Sequence, residues 1–74
     1  MPSNGGRGAE LTPDERAVLA ASARGLLSHE VAALLGQSPE TTRRLLASAL
    51  QKLGSHSKLE AIVRALRQGI IDAT

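Results

Sequence analysis

The stretch from Gly36 to Leu53, GQSPETTRRLLASALQKL, constrains the fold more than any other part of the chain. Gly36 tolerates left-handed backbone and so ends whatever helix precedes it. Ser38 offers a hydroxyl to the free N–H groups of a new helix. Pro39 suits the first helical position, where no N–H partner is needed. Only Gln37 lies between, and so tight a turn makes two successive helices cross steeply instead of lying side by side.

At 100° per residue, Thr42, Leu46, Ala49, Leu50 and Leu53 fall on one side of the helix that Ser38 opens. Arg43, Arg44, Ala47, Ser48 and Gln51 fall on or toward the other. The first side is expected to be buried. The second sets guanidinium donors beside small side chains, so the backbone can approach a DNA major groove while Arg reaches base edges or phosphates. A plain solvated surface has the same composition, so the rest of the chain must decide between the two.

Upstream, Thr12 with Glu15 three residues later forms a capping-box pattern, Pro13 takes the first helical position, and Gly25 supplies the exit. Val18, Leu19, Ser22 and Ala23 are expected to face inward. Ser28 is expected to cap a second, short helix with Glu30 near its positive end, and Val31, Ala32, Leu34 and Leu35 form its apolar side. Downstream, Ser57 and Glu60 repeat the capping-box pattern and start a fourth helix. Its apolar residues Leu59, Ile62, Val63, Leu66 and Ile70 form a stripe wider than one face of so small a domain should need. Two outcomes are open. Part of that stripe, Ile62, Val63, Leu66 and Ile70, is shared with a second copy, or Ile70 and Ile71 fold back to close the core.

With 74 residues and no Phe, Tyr or Trp, the chain has room for one domain with a core of Leu, Ile, Val and Ala. The missing aromatics exclude the stacking platforms that single-strand binders and RNA-reading sheets use. With no cysteine there is neither a disulfide framework nor a thiolate metal site, which fits a reducing cytoplasm. No apolar run reaches membrane-spanning length, so a cytoplasmic place and no membrane partner are expected, with nucleoid association following if the chain binds DNA. The net charge of +2 is too small to identify a partner by itself, but its distribution is uneven. Residues 36–58 hold Arg43, Arg44, Lys52 and Lys58 against Glu40, a net +3, whereas residues 10–30 carry a net −2. Residues 1–9, rich in Gly, Pro, Ser and Asn, are expected to form a flexible tail or linker, and 10–72 the folded domain.

His29 and His56 have no second ligand at helical spacing, and Ser55-His56-Ser57 places adjacent side chains apart, so neither metal chemistry nor a catalytic triad is expected. The chain is read as a non-enzyme that needs no cofactor.

Leu11-Thr12-Pro13 with Glu15, Val18-Leu19, Gly25, Glu30-Val31-Ala32, Ser38-Pro39-Glu40-Thr41, Lys52-Leu53-Gly54 and Ser57-Lys58 with Glu60-Ala61 together resemble the LuxR-type (GerE, NarL/FixJ) DNA-binding domain of bacterial transcription regulators. The resemblance spans Leu11 to Ile71. It implies an all-α, four-helix helix-turn-helix fold, a third helix entering the major groove of double-stranded DNA, and a fourth helix that serves as a dimer interface in several members. It further implies that Arg43, Arg44 and Ala47 face the bases and that Thr41 and Lys52 meet the phosphate backbone. Ser48, Gln51 and Lys58 are candidates for groove or flank contacts. The region-four domain of sigma factors has a related helix-turn-helix. Its chain typically ends soon after the recognition helix with a basic run, whereas here KLG, a new cap and a full helix follow.

The chain departs from that pattern at several positions. Ser22, Gln37, Thr42 and Ser55 are polar where apolar residues are usual, Ala49 replaces a bulky aliphatic, and Leu45 replaces a common histidine. Leu45 projects off the core face, where three roles are open: covering a neighbouring helix, contacting a thymine methyl or meeting a partner protein. These departures and the modest net charge support a second functional reading, a helix-turn-helix module that uses Leu45, the small residues and the fourth helix to bind another regulator instead of DNA.

Overall fold

The computed structural model of the chain describes residues 10–72, and the expected tail lies outside them. Four helices follow one another: α1 (Pro13–Ala23), α2 (Ser28–Leu35), α3 (Pro39–Lys52) and α4 (Lys58–Arg67). Helix α3 packs against each of the other three, and α1 also touches α2 and α4. The sequence stretch that most constrained the fold is therefore its physical centre.

The local signals account for the helix starts with one shift. Thr12 and Glu15 form a complete capping box at α1: the Glu15 N–H donates to Thr12 Oγ1 at 3.1 Å, and the Thr12 N–H donates to Glu15 Oε1 at 2.8 Å. Ser38 caps α3 by accepting the Thr41 N–H at 3.1 Å. Helix α2 differs from expectation, because Leu27, with extended backbone, is its cap residue and Ser28 is already the first helical residue. Leu27 has no side-chain acceptor, so one orphan donor is met from the other side, with the Leu27 N–H donating to Glu30 Oε1 at 2.7 Å. At α4, Ser57 accepts the Glu60 N–H as expected, but the returning carboxylate takes the N–H of His56 instead of that of the cap residue. Between α2 and α3, Gly36 adopts φ +67° and the Gln37 N–H reaches back to the Ala32 carbonyl at 2.8 Å. A β-carbon in that left-handed conformation crowds the following carbonyl, which explains the glycine.

The core has two lobes joined by α3. One holds Leu11, Leu19, Ala49, Leu53, Ala61, Ala65 and Ile71; the other holds Val18, Ala21 and Val31. Leu46 packs against both. Ala49 of α3 and Ala61 and Ala65 of α4 share the first lobe, where branched aliphatics fill the remaining volume. The expected inward face of α1 is correct at Val18, Leu19 and Ser22, while Ala23 is only half-buried.

On α4 the apolar stripe divides. Ala61 and Ala65 enter the core, whereas Leu59, Val63 and Leu66 stay exposed. Ile62 and Ile70 are partly buried against the core and Ile71 is buried, so the chain end does fold back to close it.

Candidate nucleic-acid interface

Helix α3 buries Thr42, Ala49 and Leu53, with Leu46 and Leu50 partly buried beside them, in agreement with the helical projection. Arg43, Arg44, Ala47 and Gln51 are exposed, whereas Thr41 and Ser48 are half-buried. The exposed group forms one surface because these positions share a side of the helix. It offers fork-shaped donors for base edges or phosphates, with the small Ala47 between them.

At the N-terminal end of this surface, the hydroxyls form a short chain. Ser38 Oγ donates to Thr41 Oγ1 at 2.9 Å, and Arg44 donates to the same oxygen at 3.4 Å. Thr41 thus uses its oxygen as an acceptor and keeps its own proton for an outside partner. Pro39 has no N–H and Ser38 takes that of Thr41, so phosphate recognition at this end falls to the Thr41 hydroxyl and Arg44 rather than to free backbone donors.

Ser48 and Lys52 are placed differently. The Ser48 hydroxyl donates to Glu15 Oε2, Lys52 Nζ donates to Glu15 Oε1 at 2.8 Å, and Lys52 Nζ also reaches the Glu10 carbonyl at 3.3 Å. Glu15 is 4% exposed. Burial pushes its carboxyl up, but hydrogen bonds from Lys52, Ser48 and the Thr12 N–H, together with the Lys52 charge, outweigh that penalty and hold it at about 2. The sequence reading had Glu15 as a capping residue and missed this convergence. A usable signal was present: a capping box occupies one carboxylate oxygen and leaves the other in need of donors.

The polar departures also find places in the structure. Thr42, 1% exposed, donates its hydroxyl to Gln37 Oε1 at 2.8 Å, so two polar residues at usually apolar positions satisfy one another. Leu45 is partly buried against Val18, Ala21 and Val31, so it does cover the neighbouring helices. Ser55 Oγ is buried with no hydrogen-bond partner.

Next to the C-terminus of α3, Arg64 donates to the Leu53 carbonyl at 3.5 Å and to Glu60 Oε2 at 3.0 Å. This joins the end of α3 to α4, another contact that the sequence reading missed. Lys58 is half-buried at the start of α4. Among the described residues no cluster of His, Asp and Glu is arranged to hold a metal ion, and no helix is long and apolar enough to cross a membrane.

Comparisons with known proteins agree with the four-helix fold. The model of the family described as bacterial regulatory proteins, luxR family, matches residues 9–65. Transcriptional regulatory protein YdfI of Bacillus subtilis (strain 168) is 42% identical over 62 residues, which cover 84% of this chain and 29% of that protein. The chain thus spans less than a third of the length of this curated relative. The solved structure of the transcription factor GerE is similar with a TM-score of 0.82 at 28% identity, covering 86% of this chain and 96% of that one.

Proposed function

The chain belongs to the luxR family of bacterial regulatory proteins, and from that premise we propose that residues 10–72 bind double-stranded DNA sequence-specifically to regulate transcription, with α3 in the major groove. The observation that carries this reading is the two-sidedness of α3. Thr42, Ala49 and Leu53 anchor it in the core, while Arg43, Arg44, Ala47 and Gln51 are all exposed. In this reading Arg43 and Arg44 read base edges beside Ala47, and Thr41 donates to a phosphate. Gln51 and Lys58 extend the contact along the flank. Phosphate contacts fix register, and base contacts carry the sequence preference.

The exposed Leu59, Val63 and Leu66 on α4 support a homodimer through that helix. Leu59 and Leu66 are seven residues apart and Val63 lies between them, so the three share one stripe. Ile62 and Ile70 flank it while packing partly on their own core.

The reading as a protein-binding module drew on Leu45, the small residues of α3, the fourth helix, the polar substitutions and the modest net charge; the exposed stripe of the fourth helix is taken here as the surface for a second copy. Leu45 is taken up by the fold, and Gln37 and Thr42 satisfy one another, so neither observation asks for a partner protein.

Selection from a randomised duplex pool, followed by mobility-shift titration at two salt concentrations, tests the proposal. The expected result is an enriched site whose affinity falls as salt rises, because bound cations displace counterions from DNA. Failure to bind any duplex at low salt would refute it.

A further inference from the structure

Resting on the DNA-binding reading, we propose that Glu15 is the positioning residue of the DNA-facing helix, and that Ser48 and Lys52 are its tethers and not DNA contacts. Glu15 Oε1 accepts the Thr12 N–H and Lys52 Nζ, both at 2.8 Å, and Oε2 accepts the Ser48 hydroxyl. Lys52 Nζ further donates to the Glu10 carbonyl, so its charge points toward the start of α1.

The geometry matters because there are two attachments. Ser48 and Lys52 are four residues apart, one turn along the same edge of α3. One hydrogen bond would let α3 pivot about it, whereas two on one carboxylate resist both sliding along the axis and rotation about it. Glu15 itself is fixed, since its side chain is 5% exposed and one of its oxygens is held by the cap of α1. Core contacts already hold α3 against α1, and within that packing one buried carboxylate fixes the remaining freedom in the pose of Arg43, Arg44 and Ala47. A rotation of about 20° moves a group at a helix's outer radius of roughly 6 Å by about 2 Å. Such a displacement exceeds the range over which a hydrogen bond to a base edge survives.

The pairing also removes a charge from the DNA count. Lys52, its side chain 30% exposed, already has the buried Glu15 carboxylate as its counter-ion, so we expect it to release no counterion on binding.

The test uses the full chain with Ser48→Ala, Glu15→Gln and Lys52→Met, measured on the selected duplex and on a scrambled one across a salt series. Each variant is expected to lower the selected-to-scrambled affinity ratio at least fivefold. Lys52→Met is expected to keep the salt slope of the unsubstituted chain. A slope reduced by about one for each bound Lys52 lost, on both duplexes, would make Lys52 a phosphate anchor and overturn the proposal. Residual dipolar couplings on the free protein provide the second readout. The angle between α1 and α3 should change in Ser48→Ala, which keeps the ion pair and so protects folding, and change further in Glu15→Gln. An unchanged angle in both overturns the proposal, whatever the DNA results. If the unsubstituted chain binds neither duplex, the DNA reading fails and the helix angle alone decides whether Glu15 positions α3.

Discussion

Replacing Glu15 with Gln should remove a large part of the stability of this domain at neutral pH and nearly none of it in strong acid. In the folded protein the carboxyl is held at about 2, against an ordinary 4.5. At about 1.4 kcal/mol per pKa unit, the difference corresponds to about 3 kcal/mol of preferential stabilisation of the charged form. Because the folded-state value is the lower one, the unfolded chain takes up the proton first as pH falls. The contribution is therefore complete above 4.5 and is lost progressively as pH drops from 4.5 toward 2. A domain of this size has a total stability of roughly 4–11 kcal/mol, so this one carboxylate is a major part of it.

Denaturant unfolding of the two proteins between pH 7 and pH 2.5 measures the effect. Glu15→Gln should be less stable by about 3 kcal/mol at pH 7, with the two curves converging as pH falls through the window. Glu60 is also held below the ordinary range, by the His56 N–H first and by Arg64, and it adds to the acid sensitivity of both proteins. The comparison removes that shared part. A constant gap between the curves across the whole window would refute the reasoning, since the cost of the substitution would then not come from the charged carboxylate.

Three further outcomes are expected. Thr42→Val leaves Gln37 Oε1 without its donor and should cost about 1 kcal/mol, whereas Gln37→Leu combined with Thr42→Val should recover most of that loss; a double-mutant cycle by thermal unfolding reads the coupling, and additive effects would contradict the pair. Ser55→Ala deletes a buried hydroxyl that has no partner and should raise stability by about 1 kcal/mol, seen as a higher unfolding midpoint. Val63→Asp places a charge in the exposed α4 stripe and should leave folding intact while shifting the sedimentation of the DNA complex from two copies per site toward one; unchanged stoichiometry would remove α4 as the dimer surface.

The two faces of α3 were legible from sequence because helical periodicity and the Ser38-Pro39 start are local properties, read within a single element. The same holds for Thr12 and Glu15 as a capping box. What could not be read depends on tertiary placement, most of it on partners distant in sequence. Ser48 and Lys52 lie 33 and 37 residues from Glu15, so no local pattern links them to a residue whose capping role already seemed sufficient. Leu45 could be given an angle on a wheel, but only the placement of α1 and α2 shows that Val18, Ala21 and Val31 wait there. Gln37 and Thr42 each break an apolar pattern and make sense only once they meet across the start of α3. On the fourth helix the excess of the apolar stripe was legible, but the alanines that enter the core were not. Periodicity weights large apolar residues, while close helix packing drew in Ala61 and Ala65 and left Leu59 and Val63 outside.

Amide chemical-shift mapping of the chain on its selected duplex tests the central claim most directly. The account predicts the largest changes at Thr41, Arg43, Arg44, Ala47 and Gln51, with Arg43→Ala lowering the preference for the selected site by about 1–3 kcal/mol while binding to scrambled DNA persists. Changes confined to other surfaces, with α3 unaffected at saturating duplex, would contradict it.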